Sequence, residues 1–431
     1  MASHQEAHTK PTKAHALGAL LWRNYKDLFE KHRGRYPTLD GLRAIAVLLV
    51  ILFHCFYLNI THLPQDFSED LIRHMAPWFN WIWQGDKGVD LFFVLSGFLI
   101  SMLLLREHQR HGKVDLLRFY RRRAARILPA YILLLGTAWF AHLPHREWIW
   151  SNLLFINNLQ PANTYFVPWT WSIAVEVQFY LLFPIMLLPI ITKLKHPFLF
   201  TLALSGFVMI ARQLILFHHP QLSELAYYEI MFSPAKLQMW WDTLYIPTAS
   251  RLGPIMLGIT AGTLHIYHAE SLNTFSTTHP KRYSWLAITT FLLMLGVLTV
   301  PIHAASLHYD AYIGECLNSL LLGQHRILFS ICIAVLLVLS LHPPKQGHLL
   351  TKSLSSNLLT PIAKASYSAY LIHIPVIWWV FGAYPKTPSI AHSTLGFILA
   401  TAVTLFVIFL ISTIMYAIVE KPFIDASHRK H

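Results

Sequence analysis

The chain has 431 residues, 55% hydrophobic and 13% charged, with 34 Lys and Arg against 21 Asp and Glu and a formal net charge of +13. So apolar a composition leaves too little polar surface for an ordinary soluble domain and points to a membrane protein. The basic excess would suit nucleic acid if it formed one patch. It falls instead into alternate loops between apolar stretches, the pattern of cytoplasmic loops, so no nucleic-acid partner is expected.

Residues 1–36 form a basic cytoplasmic arm. Within it Leu17, Leu20, Leu21, Tyr25, Leu28 and Phe29 recur at helical spacing opposite Arg23, Lys26 and Lys31, which predicts an amphipathic helix at the membrane surface. About ten apolar stretches follow, near 42–59, 88–105, 125–142, 172–191, 198–217, 252–268, 284–302, 325–341, 362–381 and 394–419, each long enough to span a bilayer. The first has no small-residue cleavage signature and is read as a retained helix. The expected fold is therefore all-α and polytopic: a transmembrane domain over 37–425 with about ten helices in the lipid bilayer, and a cytoplasmic tail at 426–431.

Loop charges orient these helices. The arm (Lys10, Lys13, Arg23, Lys26, Lys31, Arg33, Arg35) and the segment from Arg106 to Arg126 are strongly basic. The intervening loops hold only Arg73, Lys87, Arg146, Lys236 and Lys386, with Arg251 at a border, so both termini are expected in the cytoplasm. The longest outer connection, near 218–250, contains Tyr227, Tyr228, Trp240 and Trp241. The chain ends soon after its last apolar stretch, so any chemistry is expected inside the membrane domain.

Ionisable groups within apolar runs are costly and usually mark function. Arg43 and His54 share one helix face in the first stretch, about 16 Å apart along the axis. With the orientation above, His54, Asp90 in the second stretch and Glu176 in the fourth lie within about 5 Å in depth, and His373 lies somewhat deeper. A buried neutral imidazole can act as a base while a carboxylate, Asp90 or Glu176, orients it. Structural hydrogen bonding is the usual role of a lone membrane histidine, but the arginine on its face and the two acids at its level favour chemistry here. Tyr180, one turn after Glu176, either holds that carboxylate or packs.

At the start of the third stretch, Arg118, Arg121, Arg122, Arg123 and Arg126 approach the level of Arg43. Guanidinium forks match phosphate groups, although charge count alone serves topology and anionic lipid equally well. Most of the 14 tryptophans, Trp171 among them, fall in outer segments, where flat rings would stack on a sugar-like acceptor. The three cysteines, Cys55, Cys316 and Cys332, form no CxxC pair, and no metal site is expected.

Six segments in order resemble the integral-membrane acyltransferases of the acyltransferase-3 family. They are Arg43-x10-His54, Gly88-Val-Asp-Leu-Phe-Phe-Val-Leu-Ser-Gly-Phe98, Arg123-Ala-Ala-Arg126-Ile-Leu-Pro129, Trp171-Ser-Ile-Ala-Val-Glu176-Val-Gln-Phe-Tyr180, Ser366-Tyr-Ser-Ala-Tyr-Leu-Ile-His373-Ile-Pro375 and Glu420-Lys-Pro-Phe423. The resemblance implies transfer of an acyl group, usually acetyl, from cytoplasmic acyl-CoA to a hydroxyl of an extracytoplasmic glycan such as a surface polysaccharide, or to another small acceptor. It implies His54 as the catalytic residue, with Arg43, Arg123 and Arg126 near the donor. Trp171, Tyr180 and His373 are the residues expected near the acceptor. Two departures are visible: Val177 stands where a second glutamate is common, and no esterase-like domain follows. The alternative is a proton-coupled transporter using the same His, Asp and Glu cluster as a relay.

Overall fold

A computed structural model describes residues 13–30, 36–61, 77–223, 230, 233–299, 311–345, 348–383 and 394–428. Lys10, Lys31, Arg33, Arg35, Arg73, Tyr227, Tyr228 and Lys386 lie outside the described residues, as does the end of the tail. Among the described residues the protein is helical throughout, with no strand.

The main helices are α1 (Lys13–Phe29), α2 (Thr38–Thr61), α3 (Gly88–His111), α4 (Leu116–Phe140), α5 (Trp171–Leu182), α6 (Pro197–Phe217), α7 (Thr248–Tyr267), α8 (Ala269–Thr278), α9 (Pro280–Thr299), α10 (Ala311–Leu341), α11 (Leu359–Ala383), α12 (Thr394–Met415) and α13 (Lys421–His428). Seven described helices are long and apolar enough to cross a membrane by length and composition, short of the ten expected. The remaining three expected stretches lie in α4, α7 and α11, which carry Arg118 to Arg126, Arg251 and His265, and Lys364 and His373. Those polar residues lower the mean hydropathy of these helices; α7 and α11 pack in the centre of the bundle, whereas α4 leaves Ile132 and Phe140 exposed.

Local chemistry explains the sharp turn before the arginine segment. Gly112 closes α3 in the left-handed region (φ 69°) and returns its N–H to the His108 carbonyl at 2.8 Å. Three residues later the Asp115 carboxylate caps α4 by accepting the Arg118 N–H at 2.9 Å. The arginines therefore enter α4 in its first turns.

The central contact is α3 against α7, flanked by α2 against α3 and α11, and α7 against α6 and α10. Gly97 on α3 and Gly258 on α7 let the two backbones touch: a Cβ on either would collide with a carbonyl of the other helix, Ile255 or Val94. Faces away from this centre, such as Phe207 and Ile210 on α6, Leu292 on α9 and Phe406 on α12, are apolar and exposed, as suits a lipid-facing surface.

Helix α1 is not a free arm. Leu28 is buried with Ala365 and Tyr416, the Asn24 amide donates to the Ala417 carbonyl at 2.9 Å, and Asp27 meets Lys364 at 3.3 Å and Lys421 at 3.5 Å. Burial alone would raise the Asp27 carboxyl, but the Tyr416 hydroxyl and the two ammonium groups outweigh it and hold the carboxyl below its ordinary range.

Candidate active site

Two cavities lie along α2 and share Val89 and Tyr370 as common wall. The first, about 100 Å³, is lined by Arg43, Arg123, Arg126, Ser96, Glu176, Tyr180 and Ser366 among others. The second, about 230 Å³, holds His54 and is otherwise mostly aromatic: Phe53, Tyr57, Tyr165, Trp169, Trp171, Trp241, Tyr245 and Trp378. Arg43 and His54 thus open into different chambers of one helix face, at the two ends of the eleven-residue step between them.

In the arginine cavity, three guanidinium groups face one lining carboxylate. Arg43 is partly neutralised by Asp40 at 3.1 Å, and Arg123 lies 5.6 Å from both the Phe119 and the Tyr180 rings. Arg123, Arg126 and Ile127 form the stripe of α4 that faces the cavity, at the three- and four-residue spacing of one helix side. Arg118, Arg121 and Arg122 do not line it. They lie to the sides of that stripe, Arg118 pairing loosely with Asp115 at 4.0 Å near the surface.

His54 is half-buried, and its Nδ1 faces the Val50 carbonyl at 2.9 Å. A carbonyl can only accept, so Nδ1 carries the hydrogen and the lone pair of the neutral ring sits on Nε2. The helix backbone therefore sets the tautomer, where a carboxylate was expected to do so. Among the described residues no carboxylate bonds this ring.

The two acids are committed elsewhere. Asp90 is fully buried, held by Arg251 at 2.9 Å and Arg326 at 2.7 Å, and Arg326 also binds Asp86. Its neighbour Val89 takes the place at the His54 cavity, because successive helical residues point about 100° apart. Glu176 accepts hydrogen bonds from Ser96 and Tyr180 and lines the arginine cavity. Tyr180 is accordingly the holder of that carboxylate. A shared level along the membrane normal fixes no direction around the helix axis.

Trp171 lines the His54 cavity, and Arg251 lies 4.9 Å from its ring and 4.2 Å from that of Tyr245. A π-helical turn at Trp241–Tyr245 brings both Trp241 and Tyr245 into the same wall. His373 does not line the cavity; it is fully buried behind it, with its ring centroid 4.8 Å from that of His54.

The residues that sequence reasoning missed bind the motifs together. Pro375 has no N–H for the Leu371 carbonyl one turn back, and Trp169 Nε1 donates to that carbonyl at 2.9 Å. Tyr370 donates to the Trp169 carbonyl at 2.7 Å and meets Ser172 Oγ at 2.6 Å, while Ser368 donates to the buried Glu420. Arg326 carried a signal that went unread: a charge at the second residue of an apolar stretch implies a buried partner.

The family model for the acyltransferase domain, that of the acyltransferase-3 family, matches residues 36–416. The chain belongs to this family. It is similar to the O-acetyltransferase OatA of Staphylococcus aureus (strain NCTC 8325 / PS 47), with 27% identity over 93% of this chain and 59% of the relative. It is also similar to a putative O-acetyltransferase of Staphylococcus aureus (strain COL), with 28% identity over 81% of this chain and 52% of that protein. The chain thus spans between half and two thirds of the length of these curated relatives. No solved structure matches it. The arginine cavity is lined mainly by five of the six motif segments, whereas most of the aromatic wall around His54 lies outside them.

Proposed function

We propose that the protein is a membrane O-acetyltransferase that moves an acyl group, acetyl foremost, from cytoplasmic acyl-CoA to a hydroxyl of an extracytoplasmic glycan or similar acceptor. The observation that carries this reading is the pair of adjoining cavities, one lined by guanidinium groups and the other by an imidazole among aromatic rings. Phosphates of the donor dock on Arg43, Arg123 and Arg126. The acyl arm extends along α2 past Val89 and Tyr370, and the acceptor sugar stacks on Trp171 and its neighbours. Nε2 of His54 takes the hydroxyl proton as the oxygen attacks the thioester, or carries the acyl group itself before passing it on. The names of the relatives support acetyl as the group and oxygen as its destination.

His54→Ala tests the base. In membrane vesicles with normal amounts of protein, acetyl transfer from labelled acetyl-coenzyme A is expected to fall by about 100-fold or more. Unchanged transfer would remove the assignment, and proton-linked solute flux without thioester consumption would favour a transporter. Val89→Trp tests the shared wall: transfer should be lost while coenzyme A still binds.

A further inference from the structure

We propose that His373 is a positioning residue for acyl transfer: it shares, through its own Nε2, the proton that His54 takes from the acceptor. This rests on His54 being the base. The two histidines repeat one device on two helices. His54 Nδ1 is held by the carbonyl of Val50, four residues back, and His373 Nδ1 by the carbonyl of Tyr370, three residues back. Both rings therefore keep the lone pair on Nε2.

What differs is access. His54 opens into the aromatic cavity, whereas His373 is completely buried and its Nε2 has no hydrogen-bond partner among the described residues. A buried acceptor left without a donor is costly and calls for an explanation. The rings meet edge to face, with centroids 4.8 Å apart and planes at 66°. When His54 takes a proton it becomes a cation in a mostly aromatic chamber. The acids are bonded elsewhere: Asp90 to Arg251 and Arg326, Asp86 to Arg326, and Glu176 to Ser96 and Tyr180. The unpartnered Nε2 belongs to His373, the ring that packs against His54.

The step balances without a further reagent. The acceptor O–H bond breaks, its proton joins His54 Nε2, and the oxygen bonds to the thioester carbonyl carbon. The imidazolium N–H is accepted by His373 Nε2. The C–S bond then breaks with its electron pair leaving on sulfur, and the shared proton passes to that thiolate, returning both rings to neutrality.

The test uses the full chain in membrane vesicles of the source cell, which hold the native acceptor, with acetyl-coenzyme A supplied from the cytoplasmic side. His373→Leu is expected to lower kcat by about 10- to 100-fold, with KM for acetyl-coenzyme A nearly unchanged. His373→Gln, which keeps an acceptor oxygen near the position of Nε2, should recover most of that loss, and His373→Phe, which keeps only a flat ring, should not. Equal kcat for the Gln and Phe variants, or a Leu variant with normal kcat, overturns the proposal. If the leucine substitution prevents insertion, the Gln and Phe comparison decides alone, with coenzyme A binding as the check on folding. Failure of the unchanged protein to release thiol would instead overturn the function on which the proposal rests.

Discussion

Two groups of arginines sit in this bundle, and they differ in what holds them. Arg251 and Arg326 are buried to 1% and 3% exposure and are tied to Asp86 and Asp90, with Tyr245 stacked on both. Arg123 and Arg126 instead face an open cavity beside Arg43, which Asp40 partly neutralises, and the lining carboxylate, Glu176, is already bonded by two hydroxyls. The same side chain is structural where its charge is answered and ready for a ligand where it is not. Pairing, more than position in the sequence, separates scaffold from site.

The largest effect should come from breaking the answered group. Arg326→Ala leaves Asp86 buried without its ion-pair partner and Asp90 with one of two, and should destabilise the protein by about 3–5 kcal/mol. Thermal unfolding in detergent would show it. A loss under about 1 kcal/mol would mean that the cluster does not anchor the bundle.

The open group should behave in the opposite way. Arg123→Ala and Arg126→Ala are expected to leave unfolding nearly unchanged while each weakens coenzyme A binding by about 1.5–3 kcal/mol, the range for charge-assisted hydrogen bonds. The loss should be greater for coenzyme A than for dephospho-coenzyme A in titration calorimetry. Equal losses for the two ligands would mean that these arginines do not bind the phosphate that distinguishes them.

A smaller effect lies at the surface, where Asp27 gives an ion cluster midway between the two cases. Its carboxyl is held below the ordinary 3.8, so its contribution to docking α1 is present at neutral pH and lost as the pH falls through the depressed folded value. Protection of the α1 amides against hydrogen exchange, taken relative to the intrinsic rate at each pH, should therefore stay constant from pH 7 to about 5 and fall only below the ordinary carboxylate range. Asp27→Asn should raise exchange at neutral pH and flatten that dependence.

Much of the site was legible in the sequence. Arg43 and His54 on one face follow from spacing along a single helix, the arginine segment from its charge density, and the weight on Arg123 and Arg126 from the family resemblance. What misled was the step between helices. Asp90 turns toward α7 and α10 and Glu176 toward the arginines, because which way a helix faces depends on what packs against it. Gly97 and Gly258 fix that facing for α3 by allowing the two backbones to touch.

The sequence by itself determined that the chain is helical and membrane-embedded, which residues carry charge into lipid, and the distance from Arg43 to His54, since these depend only on hydropathy and on the repeat of one helix. Only the tertiary structure decided that Val50 sets the His54 tautomer, that Asp90 serves the scaffold, and that His373 stands behind the cavity without lining it. Those outcomes depend on the rotation of each helix about its own axis, which is set by packing among helices far apart in the chain.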